Sequence, residues 1–168
     1  SDVDDTELEY TASVDGNASV SIDGASLSIA PYLNYYGDIA VSVTVTDGQL
    51  TDSGSFTLIV NPVNDAPVLD NISDVIFDED TSTSISVSGS DIDDDALTFT
   101  ITGGSDITAT LDGSDITFNT PLNFNGSETF TIATTDSQLT DSQSIVVTVN
   151  PVNDAPIAED TSSETDED

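Results

Sequence analysis

The chain contains no lysine, no arginine and no histidine. Its 168 residues carry 33 aspartates and glutamates, a formal net charge of −33, so no side-chain salt bridge can form within it. Nucleic acid is excluded as a partner, because a phosphate backbone is held by basic side chains. Anionic membranes are excluded by the same charge, except through bridging cations. Like charges at this density raise the energy of a compact state unless cations gather around it. Cysteine is absent as well, so there are no disulfides and no thiol chemistry. Without lysine there are no Lys–Asn isopeptide crosslinks, and without histidine or cysteine there is no Ser–His or Cys–His nucleophile. No apolar run reaches the roughly 18 residues of a membrane span, and Ser1 does not open a signal peptide. The chain reads as an internal segment of something longer.

High net charge raises the question of disorder. Yet 36% of the residues are hydrophobic, and they alternate in short runs, which is the pattern of half-buried strands. Self-alignment gives one period. "SDVDD" (Ser1 to Asp5) matches "SDIDD" (Ser90 to Asp94), "TDGQLTDS" (Thr46 to Ser53) matches "TDSQLTDS" (Thr135 to Ser142), and "VNPVNDAP" recurs at Val60 to Pro67 and Val149 to Pro156. Asp47 and Asp136, like Asp65 and Asp154, stand 89 positions apart. A period of this length is a whole domain rather than a solenoid unit.

In the second repeat the inward positions are Ile85 and Val87, then Leu97, Phe99 and Ile101, then Ile107, Ala109 and Leu111. Ile116 and Phe118, Phe130 and Ile132, and Ile145, Val147 and Val149 follow. With Ile72 to Phe77 ahead of them these make seven strands, and the fold class expected is all-β: tandem immunoglobulin- or cadherin-like Greek-key β-sandwiches. The first repeat retains only the last five strands. The expected divisions are a partial repeat over 1–63, a complete one over 64–152 and the start of a third over 153–168. The incomplete repeat is either finished by a neighbouring molecule or cut from a longer parent, since an open sheet edge invites pairing.

Acids cluster at strand ends and linkers: Asp2 to Asp5, Asp78 to Asp80, Asp91 to Asp95 and the two "NDAP" segments. Carboxylates at alternate positions, with backbone carbonyls and asparagine between them, supply the six to eight oxygens Ca²⁺ takes, whereas Zn²⁺ prefers histidine or cysteine. A solvated acidic coat is the plain alternative. Asp106, Asp112 and Asp115 are ordinary turn residues on either reading, but a coat does not explain acids that recur in register at linkers.

"VSGSDIDDDALTFTI", then "FTIATTD" and "VTVNPVNDAP", resemble the cadherin-like repeats of large bacterial surface adhesins and, more distantly, animal cadherin repeats. The resemblance covers nearly the whole chain and implies calcium at domain junctions. By position it makes Asp91, Asp93 and Asp136 ligands of the second repeat, joined by Asp65 and by Asn64 through its backbone carbonyl. It gives Asp2, Asp4 and Asp47 to an upstream junction, and Glu79, Asn153 and Asp154 to a downstream one. The linker departs from the cadherin pattern, with Pro62 and Pro151 where cadherins have an aspartate. "LNYYG" and "LNFNG" replace another acidic segment, which implies fewer ions per junction and affinities on the order of 10⁻⁴ to 10⁻³ M.

The function expected is a calcium-rigidified extender of a bacterial secreted or cell-surface adhesin, a structural stalk in cell adhesion or biofilm formation. Its partners would be neighbouring repeats of the same protein. Paired carboxylates can hydrolyse glycosides, but no apolar cleft is evident to raise an acid's pKa, and no enzyme is expected. Two alternatives remain: a module binding polysaccharide or identical molecules, with Tyr32, Tyr35 and Tyr36 as an aromatic cluster, or a head-to-tail filament in which Ile157 to Asp168 completes the next molecule's first repeat.

Overall fold

A computed structural model describes residues 7–93, 96–156, 158 and 164. Asp2 and Asp4, and nearly all of the proposed donor segment 157–168, lie outside the described residues. The chain divides into two compact units, Ser1–Asn64 and Asp65–Asp168.

The second unit is built on two sheets. Strands β7 (Val75–Asp78), β10 (Thr98–Gly103), β13 (Gly126–Thr135) and β14 (Thr140–Asn150) form one, in the order β10-β13-β14-β7. Strands β8 (Ser82–Ser86), β11 (Thr108–Asp112) and β12 (Asp115–Asn119) form the other, in the order β11-β12-β8. A two-residue pair, β6 (Val68–Leu69) with β9 (Gly89–Ser90), accompanies them. All pairings are antiparallel except β14 with β7, which is parallel. Period-two alternation sends Val75, Phe77, Ile116, Phe118, Phe130, Ile132, Ile145, Val147 and Val149 into one core. At its centre the rings of Phe118 and Phe130 meet edge to face, centroids 5.3 Å apart and planes at 72°, a favoured aromatic geometry.

The first unit has β1 (Glu9–Val14), β4 (Gly37–Thr46) and β5 (Thr51–Val60) in the order β1-β4-β5, and β2 (Ala18–Asp23) paired with β3 (Ser26–Pro31). These correspond to β10 through β14; among the described residues the first unit has no counterpart of β8, the strand beside β12, or of the parallel strand β7. Its buried core is accordingly small, with Ala18, Ile39 and Val41 at the centre and Val14, Leu27, Ile29, Tyr35, Val43, Leu58 and Val60 half-buried around them.

The long hairpin of each unit closes the same way. Asp47 Oδ1 accepts the N–H groups of Gln49 and Leu50, each at 2.7 Å, while Thr46 Oγ1 donates to Leu50 O at 2.8 Å. Asp136 Oδ1 accepts from Gln138 at 2.6 Å and Leu139 at 2.7 Å, and Thr135 Oγ1 donates to Leu139 O at 2.6 Å. The repeated "TD-x-Q-L-T-D-S" is therefore a turn motif whose aspartate replaces missing backbone acceptors. Its third position requires a left-handed backbone, which is relaxed at Gly48 (φ 90°) and strained at Ser137 (φ 87°).

Candidate calcium-binding end of the second unit

The "NPVNDAP" segment has no ladder hydrogen bonds, as two prolines that cannot donate would require. Asn64 is half-buried at the end of the first unit, Asp65 is exposed, and Pro67 is fully buried in the second unit. Three of the expected ligands are linked in series. The Asp65 N–H donates to Asp93 Oδ2 at 2.8 Å, and the Asp93 N–H donates to Asp91 Oδ1 at 2.8 Å. The second oxygen of Asp91, Oδ2, is enclosed and has no hydrogen-bond donor among the described residues. An anionic oxygen withdrawn from water and left unsatisfied is costly, and an ion or a donor is what it lacks. Asp136 is buried, 6% exposed, with one oxygen committed to its turn.

Among the described residues no group of three or more carboxylates is gathered closely enough to hold a metal ion. Asp94 and Asp95, which continue the "DIDDD" run, lie outside them. The donor set nevertheless fits a hard cation, since it is made wholly of oxygen and one carboxylate oxygen is already dehydrated. Asp47, in the first unit, is a half-buried turn acceptor whose carboxyl is held below its usual range by the N–H groups of Leu50 and Gln49.

Of the expected downstream ligands, Glu79 is 5% exposed. Its Oε1 accepts the N–H of Val152 at 2.6 Å and its Oε2 accepts from Asn125 Nδ2 at 3.3 Å, while its own N–H donates to Asn150 O at 2.9 Å. The structure thus brings Glu79 to the second "NPVN" segment. Asn153 and Asp154 are not drawn to Glu79 by any hydrogen bond described, and Asn153 Nδ2 donates instead to Asp154 O at 3.1 Å.

The aromatic cluster divides. Tyr35 packs against the first unit's core and donates its hydroxyl to Asp38 O at 2.8 Å, whereas Tyr32 and Tyr36 are each 58% exposed.

One structural carboxylate escapes the sequence reading. Glu128, at the start of β13, accepts the N–H groups of Ser105 (2.8 Å), Asp106 (3.0 Å) and Ile107 (3.1 Å). The signal available was Ile39, its counterpart one repeat earlier: an acid standing where the repeat has a buried aliphatic residue. Burial pushes the Glu128 carboxyl up, but the three backbone donors together outweigh it and hold the group below its ordinary range. A carboxyl depressed in the folded state adds stability that is present above the unfolded pKa and lost as pH falls through the folded one. Acid titration of the wild type is therefore expected to loosen the 105–107 loop below the normal glutamate range. Glu128→Gln should be less stable at neutral pH and should lose most of that pH dependence, as read by amide exchange of Ser105 to Ile107.

Comparison with known proteins agrees with this architecture. Human protocadherin-24 EC1-2 superposes with a TM-score of 0.55 at 16% identity, covering 91% of this chain and 86% of that one. A second crystal form gives 0.53 at 20%, covering 92% and 85%. At such identities the likeness is one of fold. Among curated proteins, chitinase A of Pseudoalteromonas piscicida is 31% identical over 103 residues, which is 59% of this chain. The match spans 13% of that protein's length. Residues 64–148, about half of the chain, match the family described as bacterial Ig domain, and the chain belongs to that family.

Proposed function

We propose that the chain is a non-catalytic extender segment of a bacterial secreted or cell-surface protein, an adhesin stalk whose length and stiffness are its function, and that calcium sets the stiffness. The ion is held at the N-terminal end of the second unit by Asp91, Asp93 and Asp136, with Asp65 and the Asn64 carbonyl contributed by the linker. Glu79, Asn153 and Asp154 play the corresponding part at the downstream linker. The observation that carries the reading is the enclosed, donorless Oδ2 of Asp91, one hydrogen bond from Asp93 and two from the linker N–H of Asp65. A cation there neutralises carboxylates that otherwise repel, and fixes the backbone on which the preceding residues hang. An affinity on the order of 10⁻⁴ to 10⁻³ M suits an extracellular calcium module.

Small-angle scattering with and without calcium tests it. Calcium is expected to narrow the distribution of maximum dimensions, and chelation to broaden it. Identical profiles in 10 mM calcium and in chelator would count against the reading.

A further inference from the structure

The "NPVN" segment that follows β14 is tied to Glu79, a carboxylate only 5% exposed, which accepts the Val152 N–H at Oε1 and the Asn125 side-chain amide at Oε2. The loop that carries Asn125 is fastened to the same corner a second time, by the Asn123 N–H to Asp80 Oδ1 at 2.8 Å. The Asn125 bond, at 3.3 Å, is longer than a good N–H···O bond, and the residue is exposed. Its amide is loosely held and open to water.

Asn125 is also the one asparagine of the chain that is followed by glycine. Gly126 opens β13, and packing keeps it a glycine, since a Cβ there would stand 3.2 Å from the Phe124 ring. The first unit repeats this arrangement at Gly37, where a Cβ would stand 3.3 Å from the Tyr35 hydroxyl, but the residue before it is Tyr36. The glycine belongs to the fold, and the asparagine is particular to the second unit. With no Cβ on Gly126, nothing screens its nitrogen from the side-chain carbonyl carbon of Asn125.

We propose that Asn125 is a self-modifying site, where deamidation turns the donor to Glu79 into a carboxylate and loosens the segment that Glu79 holds. The Gly126 nitrogen attacks Asn125 Cγ. An N–Cγ bond forms, the Cγ–Nδ2 bond breaks, and Nδ2 leaves as ammonia, taking the proton that the Gly126 nitrogen gives up. Water then opens the cyclic imide at one of its two carbonyls and leaves aspartate or isoaspartate. No metal, oxidant or second protein takes part. Either product puts a negative charge in place of the amide that stood 3.3 Å from Glu79 Oε2, and like charges repel most strongly where one of them is withdrawn from water. Isoaspartate also lengthens the main chain by a methylene immediately before the Gly126↔Val149 pair. The change runs one way, so the hold on Val152 weakens with the age of the molecule.

The test uses the full chain in chelator, so that the result is independent of calcium. The purified protein is held warm at mildly alkaline pH, cut at aromatic residues because it has no lysine or arginine to cut at, and mapped by mass spectrometry. Acid at residue 125 is expected to accumulate at least about tenfold faster than at any other asparagine, which a barrier lower by about 1.4 kcal/mol suffices to give. Asn125→Gln, whose longer side chain closes the imide ring far more slowly, should keep its mass through the same incubation. Asn125→Asp, the product made directly, should speed amide exchange at Val152 about tenfold, the worth of one hydrogen bond to a charged group. Exchange at Ile116 to Phe118 should stay as in the wild type, which shows that the unit is still folded. The proposal is overturned if another asparagine converts first, or if Val152 exchanges equally fast in the wild type and in Asn125→Asp.

Discussion

Phe118→Ala is expected to destabilise the second unit by about 4 kcal/mol, the usual cost of emptying a fully buried aromatic site. Phe118 is 0% exposed and packs edge to face on Phe130, so the truncation removes both burial and an aromatic contact of about 1 kcal/mol. Against a typical domain stability of 5 to 15 kcal/mol, such a loss is enough to put the unit near its unfolding threshold. The counterpart Ile29→Ala should cost much less, because Ile29 is only half-buried in an open half-sandwich. Denaturant unfolding followed by amide exchange, resolved by unit, checks both. Equal losses at the two positions would mean that the exposed face of the first unit is covered in solution.

The second large effect is a change of sign. With calcium at 10 mM and a dissociation constant of about 0.1 mM, the second unit should gain about 2.7 kcal/mol by mass action. Asp91→Asn should lose most of that gain. In chelator the same substitution should be neutral or stabilising, because it removes a charge from an enclosed oxygen that has no donor. Thermal melts of both proteins, with and without calcium, would show the curves crossing. A variant destabilised equally in both conditions would make Asp91 a structural carboxylate and nothing more.

The sandwich was legible because its signal is local. Alternation at Leu97, Phe99 and Ile101 or at Ile145, Val147 and Val149 reports a strand with one covered face whatever lies opposite. The strand limits were less so: Val87 reads as part of the strand carrying Ile85, but β8 ends at Ser86 and the chain turns to make the short β9 pairing with β6. The acid clusters, read through the resemblance to cadherin-like repeats, pointed to Asp65, Asp91 and Asp93, which hydrogen bonds link in series, and to Glu79, which is buried against the following linker. Spacing did not show that Asp47 and Asp136 are turn acceptors, since that depends on where two backbone N–H groups point. Nor did it show the reach of Glu128 to Ser105 or of Asp141 to Leu69, contacts between residues 23 and 72 positions apart.

The parallel pairing of β7 with β14 has a mechanical meaning. The polypeptide enters this pair at Val75 and leaves it at Asn150, at opposite ends of the same short ladder. Tension applied through the two ends slides one strand along the other, so its rungs are loaded together in shear instead of being opened one after another.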